Sequence, residues 1–210
     1  MTFADIEAEL RRALARPLPG LDAQRALAPR PRAPFPAGGL HRHRDAAALL
    51  LLFPAPDAHL VLTVRTQSLA RHGGQVSLPG GAVDAGETIR QAALREAHEE
   101  IGVDPATVTV LGELTPLDIN VSRFLLHPIV GTTPARPPLR PAEAEVAKIL
   151  EVPVADLRDP ARFHQETRRR GGAEFLIPYF HAAGEQVWGA TAMVLAEFLW
   201  LLGWRPEQMS

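Results

Sequence analysis

The chain has 210 residues, 46% of them hydrophobic and 22% charged, which is typical of one folded domain with a full core. Its formal net charge of −2 gives no basic field for nucleic acid, and no stretch approaches the roughly 20 apolar residues of a membrane span. The absence of cysteine excludes disulfides, cysteine nucleophiles and Cys-ligated metal centres. Together with an N-terminus unlike a signal peptide, it predicts a cytoplasmic protein.

The first predicted element is an amphipathic helix over residues 3–15, with Ile6 and Leu10 on its apolar face. Residues 16–40 are rich in proline and arginine, and scattered apolar side chains such as Phe35 predict an extended arm that packs on the domain. We therefore expect a helix and arm over residues 1–40 and the main domain over residues 41–204.

Apolar runs bounded by turn residues then alternate with helical patterns. The first strand is apolar throughout, as expected of a central strand buried on both faces. This order predicts an α/β domain with a mixed sheet between helices. The predicted elements are strands at residues 46–53 and 59–65, a loop at 66–79, a helix at 87–101 ended by Gly102, strands at 107–114 and 125–131, a short strand and turn within 146–157, a hairpin of 162–168 and 174–180, and a helix at 189–202.

Three glutamates cluster near the end of the predicted helix at residues 87–101. Glu96, Glu99 and Glu100 are spaced i, i+3 and i+4 and therefore share one helical face. A helix C-terminus already carries partial negative charge, so a sequence selected only for stability would place lysine or arginine there. Clustered carboxylates suit a hard divalent cation, and we favour that interpretation over a solvated acidic surface.

The same helix has a face that is predicted to pack on the sheet. Leu94, Ala97 and Ile101 fall together, and the glutamates fall on the opposite arc. Ala92 and Ala93 lie one turn earlier on the acidic side, where small side chains leave room for a ligand. Alanine is also simply a good helix former, so both interpretations stay open.

The segment from residue 81 to residue 103 reads GAVDAGETIRQAALREAHEEIGV. Gly81 is followed after five residues by Glu87, and after seven more by REAHEEIGV. This spacing resembles the Nudix box at each defining position and is far more specific than a lone glycine motif. The resemblance implies the Nudix fold, an α/β/α sandwich with a mixed β-sheet, and a hydrolase of a nucleoside diphosphate linked to another group.

The resemblance also implies roles for the box residues. Glu96 and Glu100 are the first choices for metal ligands, with the carbonyl of Gly81 as a further ligand. Glu99 is a third ligand or the base that takes a proton from water, and the sequence leaves this choice open. The implied cofactor is Mg²⁺ or Mn²⁺, and all three glutamates are expected to be catalytic.

Further residues complete the predicted site. Glu87 and Arg95 are expected to form an ion pair that supports the loop and the helix, although paired charges serve a scaffold as readily as a site. The proton acceptor could also lie outside the box, and Glu145 and Glu185 are the candidates. His98 is expected to be a surface or packing residue.

Upstream of the box, LTVR at residues 62–65 and GQVSLPGG at residues 74–81 are similar to the extension found in coenzyme A pyrophosphatases. Three residues depart from the pattern of that branch. Thr66 stands where Ser or Ala is usual, Ala70 where Arg is usual, and Leu78 where Phe is usual.

That branch implies cleavage of coenzyme A or its thioesters to 3′,5′-ADP and 4′-phosphopantetheine or its acyl form. Arginine binds phosphate in a bidentate manner, so Arg65 and Arg71 are the first candidates for the additional 3′-phosphate. Gln75 of the extension is the third expected substrate-binding residue, and Arg42 and Arg44 are weaker candidates.

Two alternatives remain at this point. A Nudix hydrolase of ADP-ribose, NADH or a dinucleoside polyphosphate would share the metal site without requiring a 3′-phosphate. An inactive nucleotide sensor would be expected to lack box acids, whereas all three are present here. Trp188 could stack on adenine, but packing in the core is favoured. The expected partner is a small molecule, without nucleic acid or membrane, and a homodimer is possible.

Overall fold

The computed structural model describes residues 1–31, 44–66, 73–119 and 122–205. The predicted N-terminal and C-terminal helices are confirmed, and the box helix begins at Ile89, two residues later than predicted. The helices are α1 (Phe3–Leu14), α2 (Leu21–Arg25), α3 (Ile89–Ile101), α4 (Val154–Arg158) and α5 (Gly189–Leu201), with 3₁₀ turns at Pro105–Thr107 and Pro160–Arg162.

An eight-stranded sheet forms the centre of the fold, in the order β3-β2-β1-β7-β5, with β4 on β1, β6 on β7 and β8 on β2. β1 and β7 are parallel and the other pairs are antiparallel, which confirms a mixed sheet. Its strands are β1 (Arg44–Pro54), β2 (Ala58–Arg65), β3 (Val76–Ser77), β4 (Gly80–Ala82), β5 (Thr109–Glu113), β6 (Leu117–Ile119), β7 (Phe124–Thr132) and β8 (Val146–Pro153).

Helices cover both faces of this sheet. Alternate residues of a strand point to opposite faces, so Leu50 and Leu52 of β1 pack with α1 and α5, whereas Ala47 and Leu49 pack with α3. The α/β/α sandwich predicted from the sequence is therefore confirmed. No helix in the described part of the chain is long and apolar enough to cross a bilayer.

The predicted hairpin near the C-terminus belongs to a separate three-stranded sheet in the order β11-β10-β9. The turn between β9 and β10 contains Gly171 and Gly172, both with positive φ. The third strand was not predicted, because its four residues become a strand only by pairing with β10. The strands are β9 (Phe163–Arg170), β10 (Ala173–Ala182) and β11 (Glu185–Trp188).

Three other local predictions are corrected. The predicted loop at residues 66–79 contains β3, whose two residues pair with Thr63 and Val64 of β2. The predicted turn after β8 is the short helix α4, and the arm contains α2. These elements are too short to show a hydrophobic period and are set by tertiary contacts. Phe35 and the boundary at residues 40–41 lie outside the described residues, so the domain division stays a prediction.

Candidate active site

Two local signals place the box helix. Thr88 caps the N-terminus of α3 in a reciprocal pair with Gln91, and Gly102 ends the helix in the left-handed conformation at φ 72°. Because both ends are set by local sequence, the three glutamates of the box fall in its last two turns.

Glu100 is the most deeply placed of the three acids, with 3% of the residue exposed. Its carboxylate accepts a hydrogen bond from the backbone N–H of Gly80 at 3.2 Å and lies 3.6 Å from the Arg65 guanidinium. Burial raises the pKa of Glu100 to about 7, against an ordinary value of 4.5. The prediction that all three acids lie on the arc away from the core is therefore wrong for Glu100.

Glu96 lies against the backbone of β4. A Cβ atom built on Gly81 would lie 2.5 Å from the carboxylate carbon of Glu96, so this approach requires glycine. The adjacent Gly80 faces the backbone of β1, where a Cβ would lie 2.3 Å from the carbonyl oxygen of Ala47. Burial raises the pKa of Glu96, and the Arg95 guanidinium opposes that shift.

Arg95 connects the acids of the helix to the loop that precedes it. Its guanidinium donates to both carboxylate oxygens of Glu87, at 2.9 and 3.0 Å, so the expected ion pair is present. It also donates to Glu96 at 2.8 Å, to Glu99 at 3.1 Å and to the carbonyl of Ala82 at 3.1 Å. One arginine thus sets the positions of three carboxylates, and it lowers the pKa of Glu87.

The predicted substrate-binding residues divide between described and undescribed parts of the chain. Arg65 lies beside Glu100, and its backbone N–H donates to the carbonyl of Gln75 at 3.0 Å. The extension residues Arg65 and Gln75 therefore meet at the edge of the acidic cluster. Arg71 and Arg42 lie outside the described residues, and the guanidinium of Arg44 lies over the ring of Phe124, at 5.4 Å.

Of the two candidate proton acceptors outside the box, only one faces the acids. Glu145 is exposed, and its negative charge raises the pKa of both Glu96 and Glu100. Glu185 instead lies 3.8 Å from the ammonium of Lys148, on the three-stranded sheet. Glu145 thus lies within electrostatic range of Glu96 and Glu100, a relationship that no local sequence pattern indicates.

The interpretation of Ala92 and Ala93 as room for a ligand is wrong. Both are completely buried and pack with Ala97 and Ile101 against the sheet. Their small side chains instead let the helix lie close to the strands. His98 is exposed and its Nδ1 lies 3.0 Å from a backbone carbonyl, in keeping with a surface residue.

The environment of Trp188 also differs from the core packing that the sequence favoured. Its ring is half-buried at the start of α5, and the guanidinium of Arg168 lies 4.9 Å from the ring centre. Arg168 also donates to the side chain of Gln186 at 2.7 Å. The indole therefore packs against a charged side chain on the three-stranded sheet rather than within either of the two apolar clusters.

The side chains at the site are of the chemical type that binds a hard divalent cation. The donor set is made of carboxylate oxygens, and the absent side chain at Gly81 leaves backbone within reach of Glu96. As they stand, no three acidic or imidazole side chains in the described ranges converge closely enough to hold a cation. The acids do not converge because Arg95 binds Glu96 and Glu99, whereas Gly80 and Arg65 contact Glu100. Arg95 engages one oxygen of Glu96 and one of Glu99, so it is the other oxygen of each carboxylate that would have to turn toward the cation.

The sandwich fold and the glutamate-bearing loop and helix define a class of α/β hydrolases that act on pyrophosphate bonds. The chain belongs to the Nudix family, since the profile of the NUDIX domain matches residues 42–171. It is similar to a protein from Escherichia coli (strain SMS-3-5 / SECEC) named uncharacterized Nudix hydrolase NudL. The two are 38% identical over 171 residues, or 78% of this chain and 85% of that protein.

A protein of the same name from Salmonella paratyphi B (strain ATCC BAA-1250 / SPB7) is 40% identical over 167 residues, again 78% of this chain and 85% of that protein. The crystal structure of MutT protein from Methanosarcina mazei Go1 is 14% identical, with a TM-score of 0.51, over 76% of this chain and 93% of that one. That similarity supports the fold alone.

These relationships confirm that the chain is a Nudix hydrolase, an enzyme that acts on the pyrophosphate bond of nucleoside diphosphate derivatives. Nudix hydrolases generally use divalent metal ions. The names of the relatives specify no substrate, and the roles of individual site residues stay predictions.

Proposed function

We propose that this Nudix hydrolase cleaves the diphosphate of coenzyme A or its thioesters with Mg²⁺ or Mn²⁺. The products are 3′,5′-ADP and 4′-phosphopantetheine or its acyl form. The supporting observation is the 3.6 Å contact between Arg65 and Glu100, which joins the extension typical of coenzyme A pyrophosphatases to the acids of the box. A residue of the extension and an acid of the box thus lie side by side, which supports one shared site.

In this proposal, Glu96, Glu100 and the carbonyl of Gly81 would hold the cation. When bound, a divalent cation neutralises phosphate oxygens and lowers the pKa of a coordinated water. Arg95 keeps Glu96 and Glu99 oriented through the direct hydrogen bonds described above. Water attacks one phosphorus, the bridging P–O bond breaks, and the water proton passes to a carboxylate.

Two carboxylates can accept that proton. Glu99 has 56% of its side chain exposed, and Arg95 holds it at the edge of the cluster. Glu145 faces both Glu96 and Glu100 from the segment that leads into β8. We place Glu99 first, as a ligand or as the base, because Arg95 holds it beside Glu96, and Glu145 second, because its charge acts on both Glu96 and Glu100.

The position of Arg65 changes its proposed role. Because it lies beside Glu100, we assign it to the phosphates of the scissile diphosphate, where a guanidinium binds in a bidentate manner. Arg71 is then the first candidate for the 3′-phosphate. Arg65→Ala should therefore slow the turnover of every diphosphate tested, whereas Arg71→Ala should reduce the preference for coenzyme A over 3′-dephospho-coenzyme A.

The decisive experiment compares hydrolysis of coenzyme A, 3′-dephospho-coenzyme A, ADP-ribose, NADH and a dinucleoside polyphosphate. Phosphate released by added alkaline phosphatase reports cleavage for each compound that lacks a terminal phosphate, and chromatography of the products reports it for coenzyme A. We expect the highest kcat/KM for coenzyme A or an acyl form, and no turnover in Glu96→Gln. A clear preference for the dephospho form or for ADP-ribose would move the substrate to the alternative class.

A further inference from the structure

A histidine and an aspartate outside the box form a pair next to the proposed site. The Nε2 atom of His127 on β7 lies 3.0 Å from the Oδ1 atom of Asp45 on β1. The two residues are 82 positions apart, so no local motif links them, and the parallel pairing of β1 with β7 brings them together. The His127 side chain is 17% exposed and that of Asp45 is 53% exposed.

Strand register locates this pair relative to the acids. Ala47 of β1 pairs with Gly81 on one side and with His127 on the other, so these three residues form one row across three strands. Neighbouring strands lie about 4.8 Å apart, which puts His127 about 10 Å from Gly81 along the row. Paired residues point to the same face, and Ala47 belongs to the cluster that packs under α3. His127 therefore shares a face with the position where Gly81 meets Glu96.

One nitrogen of the His127 ring is held and the other is available. In the tautomer of a neutral imidazole that donates Nε2–H to a carboxylate, which is the arrangement that the Asp45 contact fits, Nδ1 is a hydrogen-bond acceptor. Across the part of the chain that the structure describes, no protein group is hydrogen-bonded to that Nδ1 atom. A carboxylate that fixes the tautomer of a partly exposed imidazole leaves it ready to bind a donor from a ligand.

The charge next to His127 indicates which kind of ligand group would donate to its Nδ1 atom. Asp45 pairs with Leu125, in the row next to His127, and so lies on the same face. The Asp45 carboxylate beside the imidazole disfavours a phosphate by charge repulsion and favours an uncharged group with hydroxyl or amide N–H donors.

We propose that His127, oriented by Asp45, binds the uncharged hydroxyl- and amide-bearing arm of the substrate, outside the reacting diphosphate. The proposal rests on the proposed function, because that arm is the pantetheine side of coenzyme A. Its chemistry is also general, since any substituent rich in uncharged donors would satisfy the same nitrogen.

Steady-state kinetics with coenzyme A tests the contact. His127→Gln keeps an N–H near the Nε2 position for Asp45 but removes the Nδ1 acceptor, and His127→Phe removes both nitrogens. Each should raise KM about five- to tenfold, the loss expected for one hydrogen bond, and leave kcat within about twofold. Asp45→Asn should raise KM in the same direction, and combining it with His127→Gln should add little.

His59→Gln is the matched control, because His59 pairs with Phe53 at the opposite end of β1 and its Nδ1 lies 3.0 Å from the nearby Asp57 carbonyl. It should leave KM unchanged. An unchanged KM in both His127 variants would overturn the proposal, even if coenzyme A is the substrate.

A binding measurement separates this inference from the proposed function. The ring-nitrogen resonances of the wild-type protein are recorded with Mg²⁺ and either 4′-phosphopantetheine or 3′,5′-ADP, neither of which can be cleaved at a diphosphate. The His127 signals are assigned from their loss in His127→Gln. A shift of the Nδ1 resonance with 4′-phosphopantetheine supports the proposal whether or not coenzyme A is hydrolysed. A shift with 3′,5′-ADP alone, or with neither compound, overturns it.

Discussion

The carboxylate of Glu96 occupies the space that a side chain on Gly81 would fill. A Cβ on Gly81 would lie 2.5 Å from both the carboxylate carbon and one of its oxygens, closer than real atoms approach. Gly81 has no positive φ, so the requirement for glycine comes from this contact and not from backbone strain. An atom missing from a strand thus determines where a box acid can lie.

Gly81→Ala should therefore inactivate the enzyme while the protein stays folded. The added methyl group displaces the Glu96 carboxylate, and a displacement of about 1 Å can lower kcat on the order of 100-fold. Steady-state kinetics measures this loss, and circular dichroism checks the fold. Gly112→Ala on β5 is the control, because Gly112 also has no positive φ and a Cβ there would meet the Leu14 side chain at 3.3 Å rather than a box acid. Near-normal turnover in Gly81→Ala would contradict the assigned role of Glu96.

Glu100 should make the metal-free protein less stable as the pH rises. The pKa of Glu100 is about 7 in the folded protein against 4.5 ordinarily. Between these pH values the Glu100 carboxyl is therefore ionised in the unfolded chain but stays protonated in the folded protein. The free energy of unfolding should thus fall between about pH 4.5 and pH 7 and level off above. Glu100→Gln should reduce this slope, leaving the smaller part that comes from Glu96, and gain on the order of 3 kcal/mol above pH 7.

Urea unfolding in EDTA at several pH values measures this effect. Glu113→Gln is the control, since Glu113 is an exposed glutamate at the end of β5. An identical pH slope in the wild type and in Glu100→Gln would show that burial does not govern the ionisation of Glu100.

Divalent cations should stabilise the protein through the same acids. A ligand that binds only the folded state adds about 2.7 kcal/mol at 100 times its Kd, which raises Tm by several degrees. Differential scanning calorimetry with millimolar Mg²⁺ or Mn²⁺ should show this rise in the wild type and a smaller one in Glu96→Gln. Tm values unaffected by either ion would count against the proposed metal site.

Arg95 should be needed for the arrangement of the acids. Its guanidinium group donates two hydrogen bonds to Glu87 and also donates to Glu96 and Glu99. A lysine ammonium cannot make all four of these hydrogen bonds in this geometry. Arg95→Lys should therefore lower kcat or metal affinity by about 10- to 100-fold, the usual effect of removing a group that orients ligands. Arg90→Lys serves as the control, because among the described residues the ion-pair partner of Arg90 is the exposed Glu113, at 3.6 Å.

Glu197 should be a major contributor to stability without a part in catalysis. It is completely buried on α5, and its carboxylate accepts hydrogen bonds from Gly20 N–H at 3.1 Å, the Gln24 side chain at 2.9 Å and the Thr115 hydroxyl at 2.6 Å. Glu197→Leu removes the acceptor of these three hydrogen bonds, although Gln24 keeps its bond to the Thr115 carbonyl, and it should cost at least about 2 kcal/mol in unfolding free energy. Urea unfolding measures this loss.

Glu197→Gln should be less destabilising than Glu197→Leu, because the amide keeps one acceptor oxygen. At temperatures where the variants remain folded, kcat and KM should match the wild type. A large loss of kcat with intact structure would instead connect Glu197 to the site.

The sequence by itself determined those features whose causes are local. The apolar run of β1, the glycine that ends α3 and the turn at Gly171 and Gly172 predict elements that the structure contains. The clustering of Glu96, Glu99 and Glu100 follows from their spacing and from helical geometry alone. The same spacing supported the family assignment, because the box is a contiguous segment.

Tertiary structure alone decided which of these residues meet and how deeply each is buried. The burial of Glu100, its contact with Arg65, the choice of Glu145 over Glu185 and the pairing of His127 with Asp45 join residues that are distant in the sequence. Such contacts depend on strand register and on how closely the helix lies on the sheet. Strand register and the distance between helix and sheet cannot be predicted from local periodicity, because both are determined only when the whole core packs.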